Sequence, residues 1–148
     1  MEEIFFKNDC VTLTYDKDRQ LGAAHWRGFI SGDRFREASL KCVEMINQFG
    51  LTKWLADNRK MKAIRQQDQQ WAVEELVPML LESPLRQMAT VVSEDIFNKM
   101  AVEQMIKRAK PLPGLATHDF DTPEAALEWL NVTESAPEKA SPSKQPEH

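Results

Sequence analysis

The stretch Lys53-Trp54-Leu55-Ala56-Asp57-Asn58-Arg59-Lys60-Met61-Lys62 constrains the fold more than any other. It begins as an apolar run and ends in charge and amide. A buried strand over residues 52–56 that delivers a polar loop to one edge of a sheet has that pattern. A helical repeat precedes it and stops at Gly50, so the strand returns from a crossover and lies parallel to a neighbour. Polar loops at the C-terminal ends of such strands are where open α/β sheets place ligands.

The flanking segments fill in the rest. Residues 4–7 are a short apolar strand. Val11, Leu13 and Tyr15 alternate with Thr12 and Thr14, which marks a half-buried strand. Residues 20–27 make a third, so the chain opens as an antiparallel meander. Residues 33–48 carry apolar groups at helical spacing, with Ser31 or Asp33 as the N-cap and Gly50 as the left-handed stop. Asp68 is the expected cap of a second helix, with Trp71, Leu76 and Leu80 in its apolar stripe and Pro78 as its kink or end. A strand over 87–92 leads to a helix over 95–109, whose apolar set is Ile96, Phe97, Met100, Ala101, Met105 and Ile106. A strand over 115–120 and a short helix opened by Thr122-Pro123 complete the pattern.

The order β-β-β-α-β-α-β-α-β-α predicts an α/β fold. It is a single domain with a mixed β-sheet, an antiparallel N-terminal meander followed by β-α units, and helices mostly on one face. The domain covers residues 1–132. Residues 133–148 hold Pro, Ser, Lys and Glu and no apolar residue larger than alanine, and read as a disordered tail.

Composition excludes several function classes. A net charge of −4 opposes a general nucleic-acid binder, which needs a positive field. No apolar run is long enough to span a bilayer. The acidic start lacks a secretion signal, so the protein is expected in the cytoplasm, with Cys10 and Cys42 as reduced, packed thiols. His118 and Asp119 lie on opposite faces of one strand, and no metal site is expected. No nucleophile elbow, P-loop or dinucleotide glycine pattern occurs. No cofactor and no catalytic residue is assigned.

Four short motifs in order carry a resemblance: Trp26-x-Gly28 before the first helix, Leu55-Ala56-Asp57-Asn58-Arg59 at the central strand, Arg86-x-x-Ala89-x-Val91 at the fifth strand, and Phe120, Ala125, Trp129 and Leu130 at the end. Over residues 4–131 the chain resembles the SpoIIAA-like or STAS-like domain family of bacterial anti-sigma-factor antagonists. The resemblance implies a mixed sheet with helices mostly on one side. It implies a role as a regulatory switch that binds partner proteins, and the same fold appears in lipid-carrying domains. Regulatory members carry a phosphorylatable serine after the central strand. Here no serine or threonine lies between Asp57 and Trp71, so that role passes to no residue.

Two candidate sites follow. Asp57, Asn58, Arg59, Lys60 and Lys62, with Trp71 at the next helix, form the expected partner- or ligand-binding edge. Lys53, Arg59, Lys60, Lys62 and Arg65 would give it a local positive patch. Trp26, Trp54, Met88, Met100 and Met105 are candidates for an apolar pocket or a dimer face, because methionine adapts to irregular ligands. The leading expectation is a non-catalytic regulatory or protein-interaction module, as a monomer or homodimer. The alternative is a carrier or sensor of a lipid-like or other apolar small molecule. Peripheral membrane contact is open to the basic edge but not predicted.

Overall fold

The computed structural model describes residues 1–132, and the expected tail at 133–148 lies outside the described residues. Six strands form one sheet in sequence order: β1 (Glu3–Lys7), β2 (Val11–Asp16), β3 (Leu21–Gly28), β4 (Lys53–Met61), β5 (Gln87–Val91) and β6 (Ala116–Phe120). β1, β2 and β3 pair antiparallel. Their connections are short and held by side-chain oxygens. Asn8 Oδ1 accepts from the backbone N–H of Cys10 at 2.7 Å and of Val11 at 2.9 Å. Asp16 Oδ1 accepts from those of Asp18 and Arg19. From β3 onward the pairing is parallel. Each parallel step needs a crossover, supplied by α1 (Gly32–Phe49), by α2 (Gln66–Trp71) with α3 (Val77–Glu82), and by α4 (Ile96–Ala109). α5 (Pro123–Val132) follows β6. The expected mixed α/β single domain is the observed one.

Strand alternation divides the core. On one face Val11, Leu13, Ala24 and Trp54 pack against Phe35, Ala38, Cys42 and Ile46 of α1 and against Ala101 of α4. On the other, Leu21, Ala23, Leu55, Ala89 and Val91 pack against Ala126 and Leu130 of α5 alone. Four helices therefore cover one face, and one short helix covers part of the other.

Local expectations fail at four places, each for a physical reason. First, β4 does not end at Ala56 but runs to Met61. Asp57, Asn58 and Arg59 are strand residues rather than a loop, because Asp57 finds polar partners on its own face of the sheet. Second, neither Ser31 nor Asp33 caps α1 with its side chain. The cap comes from Asp68, fully buried, whose carboxylate accepts the Gly32 N–H at 3.1 and 3.2 Å. Asp68 lies inside α2 and closes the end of a different helix. Gly50 does supply the left-handed stop, at φ 62°.

Third, Pro78 does not kink a regular helix. The turn Ala72–Leu76 ahead of it is π-helical, with the Val77 N–H donating to the Ala72 carbonyl. The Pro78 ring has no N–H and crowds the carbonyl four residues back. A widened turn there accommodates both. Fourth, the start of α4 turns its apolar groups outward: Ile96, Phe97 and Met100 are 62%, 69% and 54% exposed. The buried residue of that turn is Asn98, whose Nδ2 donates to the Lys62 carbonyl at 2.9 Å. Ser93 Oγ donates to the Met61 carbonyl at 2.7 Å. These two bonds, made to the end of β4, fix the roll of α4.

Replacing Asp68 leaves the α1 N-terminus uncapped inside the protein. Asp68→Ala is expected to destabilise the fold by about 1–3 kcal/mol. A fall in Tm of several degrees in thermal melts is the expected result, and an unchanged Tm would show that the cap contributes nothing.

Candidate functional site

The covered face of the sheet does not pack solid. A cavity of about 160 Å³ lies between β3, β4 and β5 below and α1, the π turn, α3 and α4 above. Its floor is Trp26, Trp54, Ala56, Asn58, Met88 and Thr90. Phe35, Ser39 and Cys42 of α1 wall one side, Ala72 and Leu76 of the π turn and Leu80 of α3 another, and Val102, Met105 and Ile106 of α4 a third.

The floor follows from period two. Trp54, Ala56 and Asn58 share one face of β4, and Met88 and Thr90 are paired with Trp54 and Ala56 on β5. Small residues hold the space open. A Cβ on Gly22 would stand 2.6 Å from the Trp54 ring and 2.8 Å from Leu51, so only glycine lets the indole lie flat along β3. Trp26 stacks on Phe35 at 6.3 Å, which continues the aromatic wall.

The chemistry of the lining is narrow. No Asp, Glu, Lys, Arg or His contributes to it. The Cys42 thiol is pushed up to about 12 by burial and stays protonated at neutral pH. The polar lining side chains are Ser39, Asn58 and Thr90, at 2%, 6% and 6% exposure. Among the described residues none of the three has a side-chain hydrogen bond. Their polar atoms face the space rather than the protein, so they are open to a partner inside the cavity.

Asn58 and Thr90 sit together at one end, diagonal across the β4–β5 pair. They also border a second recess of about 10 Å³, with Ser93, Asn98, Lys99, Glu103 and Asp119 around it. The Asp119 carboxyl is raised by its own burial and by the nearby Glu103 charge.

The opposite face of β4 carries a separate polar group. Asp57 Oδ1 accepts from Arg59 Nε at 2.9 Å, and Oδ2 accepts from an Arg59 terminal nitrogen at 2.9 Å. His25 Nδ1, paired across the parallel register from Asp57, stands 3.1 Å from Oδ2. Burial alone would raise the Asp57 carboxyl. The bonds from Arg59 and His25 outweigh it and hold the group below the usual carboxylate range. His118 stacks on Phe120 on this α5 face, whereas Asp119 belongs to the other face. Among the described residues no three His, Cys, Asp or Glu side chains converge as metal ligands would.

The residues singled out in the sequence therefore separate. Trp26, Trp54, Met88 and Met105 meet at the cavity. Met100 does not, and is exposed on α4. Asn58 joins the cavity, while Asp57 and Arg59 lie behind it. Trp71 makes no part of the lining. It packs edge-on against Phe35 at 6.1 Å under the Arg36 guanidinium. Lys60 and Lys62 are exposed. The expected five-residue basic patch does not assemble: Arg59 pairs with Asp57 at 2.9 Å, Arg65 pairs with Asp68 at 3.5 Å, and Lys53 lies at the opposite end of β4.

Sequence reasoning missed Ser39, Thr90, Leu76 and Leu80 as lining groups. Thr90 was within reach, being two residues from Met88 on one strand face. His25 as the partner of Asp57 was not, because the register of two parallel strands is not written in either one.

The order of strands, the mixed sheet and the helices massed on one face define a SpoIIAA-like fold. A solved structure shares it: the chain is similar to an uncharacterized protein from the DUF3478 family with a SpoIIAA-like fold from Shewanella loihica PV-4, at 14% identity and a TM-score of 0.53, covering 88% of this chain and 92% of that one. At that identity the likeness shows the fold alone. No protein-family model matches the chain, and no curated protein matches it. Among the described residues no helix is long and apolar enough to cross a membrane.

A depressed carboxylate contributes stability that is complete above the unfolded value, near pH 4. It is lost as pH falls through the lower folded value. Asp57→Asn is expected to cost about 1 kcal/mol at pH 7, a modest figure because Arg59 and His25 are partly exposed. Paired melts from pH 7 to pH 2 check this. The gap between variant and parent should close below about pH 4, and a gap independent of pH would refute the ion-pair account.

Proposed function

We propose that this chain is a non-catalytic binding module that carries or senses a small apolar molecule in the cavity between the sheet and α1, α3 and α4. The observation that carries the reading is the lining itself. It is aromatic and aliphatic, contributed by three strands, α1, the π turn, α3 and α4, and interrupted by a few unpaired polar groups. Ligand sites have that composition, whereas packed cores do not retain such space. Catalysis fits the lining poorly. It holds no carboxylate, imidazole or amine to move a proton, and its one thiol stays protonated near neutral pH.

Native mass spectrometry of gently purified protein tests the reading. The expected outcome is an added mass of roughly 100 daltons that disappears on denaturation, matching the benzene-sized ligand that a cavity of about 160 Å³ holds. In a protein stripped by mild denaturation and refolding, Leu76→Trp should fill the space and abolish rebinding. Full rebinding by that variant would place the ligand elsewhere.

A second reading has its own observation. Ile96, Phe97 and Met100 form an exposed apolar turn at the start of α4, held outward by the buried Asn98. Exposed apolar groups in a row mark docking surfaces, and a STAS-like interaction module would bind a protein partner there. Phe97→Ser with Met100→Glu should abolish capture of a partner identified by crosslinking, with Tm unchanged. Undiminished capture would exclude that surface.

A further inference from the structure

The cavity has a polar end, and its chemistry narrows the ligand beyond "apolar"; this deepening rests on the proposed ligand-binding role. Asn58 is over nine-tenths buried, points into the cavity, and has no hydrogen-bond partner among the described residues. Its carboxamide offers two donors and an acceptor, and the Thr90 hydroxyl beside it offers one donor and two lone pairs. Both lie at the same end, where the β4–β5 pair meets α4.

No cationic side chain lines the space, so a carboxylate or phosphate would be desolvated without a counter-charge. The recess beyond Asn58 and Thr90 holds Glu103 and Asp119 against a single Lys99, which disfavours an anionic head further. An ammonium head would likewise have to leave water with no carboxylate in the lining itself. A cavity of about 150 Å³ takes a benzene-sized body, and this one measures about 160 Å³.

We propose that the site takes an uncharged molecule with one hydrogen-bonding head, a primary amide or an alcohol, on a compact apolar body. The head is held by Asn58 and Thr90, and the body lies along Trp54, Trp26 and Phe35. Fatty-acid anions and phosphorylated lipids are poor ligands for it.

Four matched probes test this with the full-length protein at pH 7: benzamide, benzoate, benzylamine and toluene, titrated by calorimetry and by quenching of tryptophan fluorescence. Benzamide should bind at least about tenfold tighter than either charged probe, since a buried site without counter-charge rejects ions. Asn58→Leu, close to isosteric, should remove the preference of benzamide over toluene while leaving toluene binding intact. Thr90→Val repeats the test where Asn58→Leu folds poorly. In the parent protein, the Asn58 side-chain amide resonances should shift with benzamide and not with toluene.

Benzoate or benzylamine binding as tightly as benzamide would overturn the neutral-ligand assignment. Equal weakening of benzamide and toluene by Asn58→Leu would overturn the role of Asn58. Failure of all four probes, toluene included, would overturn the cavity as a small-ligand site, an outcome distinct from a wrong head group.

Discussion

The alternation of β4 is the constraint on which the rest depends. Successive side chains of a strand point to opposite faces, so Trp54, Ala56 and Asn58 form one row and Leu55, Asp57 and Arg59 the other. The first row is the floor of the cavity. The second begins in the α5 core and ends in the ion pair with His25 close by. A register slip of one residue would turn Asp57 and Arg59 under the helices and turn Asn58 to the α5 face. Each row is polar toward its C-terminal end, but the two ends do different work. Asp57 is satisfied by the protein, and Asn58 is not.

The helices over that floor are tied down by polar bonds rather than by packing alone. Asp68 reaches from α2 to the start of α1. Asn98 and Ser93 attach the start of α4 to the last residues around β4. These contacts anchor the roof at the C-terminal edge of the strands, beside the polar end of the cavity. Between the anchors stands the π turn Ala72–Leu76, which contributes Ala72 and Leu76 to the lining. A regular helix there would rotate the residues beyond Leu76 by part of a turn, and Leu80 would leave the wall.

Much of the architecture was legible because the sequence states it locally. The alternation at Val11–Tyr15, the stop at Gly50 and the Thr122-Pro123 start each name an element with its boundary, and the element order then names a mixed sheet. What was not legible depended on partners distant in sequence. The loop expected after Ala56 is strand because His25, 32 residues away, stands within reach of Asp57. Asp68 reads as the cap of its own helix because nothing near it announces Gly32, 36 residues back. The apolar set of α4 reads in the sequence as one stripe, yet Ile96, Phe97 and Met100 face outward, since the bonds of Asn98 and Ser93 set the roll of that helix. Of the apolar candidates, those on strands could be assigned to a face by counting in twos. Met100, on a helix whose roll was unknown, could not.

The cavity also bears on stability. At about 24 cal/mol per Å³, a space of this size forgoes up to about 4 kcal/mol of packing, which is large beside a net stability of roughly 5–15 kcal/mol. Its walls include Ala56 and Ala72, where a larger apolar side chain would occupy part of the space. Gly22 is kept where any side chain would push Trp54 out of place. The carboxamide of Asn58 and the hydroxyls of Thr90 and Ser39 face the same space without a partner from the described residues. A simple packing defect would be dry and apolar throughout, and the adjustment of one alanine would shrink it. This space combines forgone packing with polar groups that lack partners, and a single occupant that filled the volume and bonded Asn58 would relieve both at once.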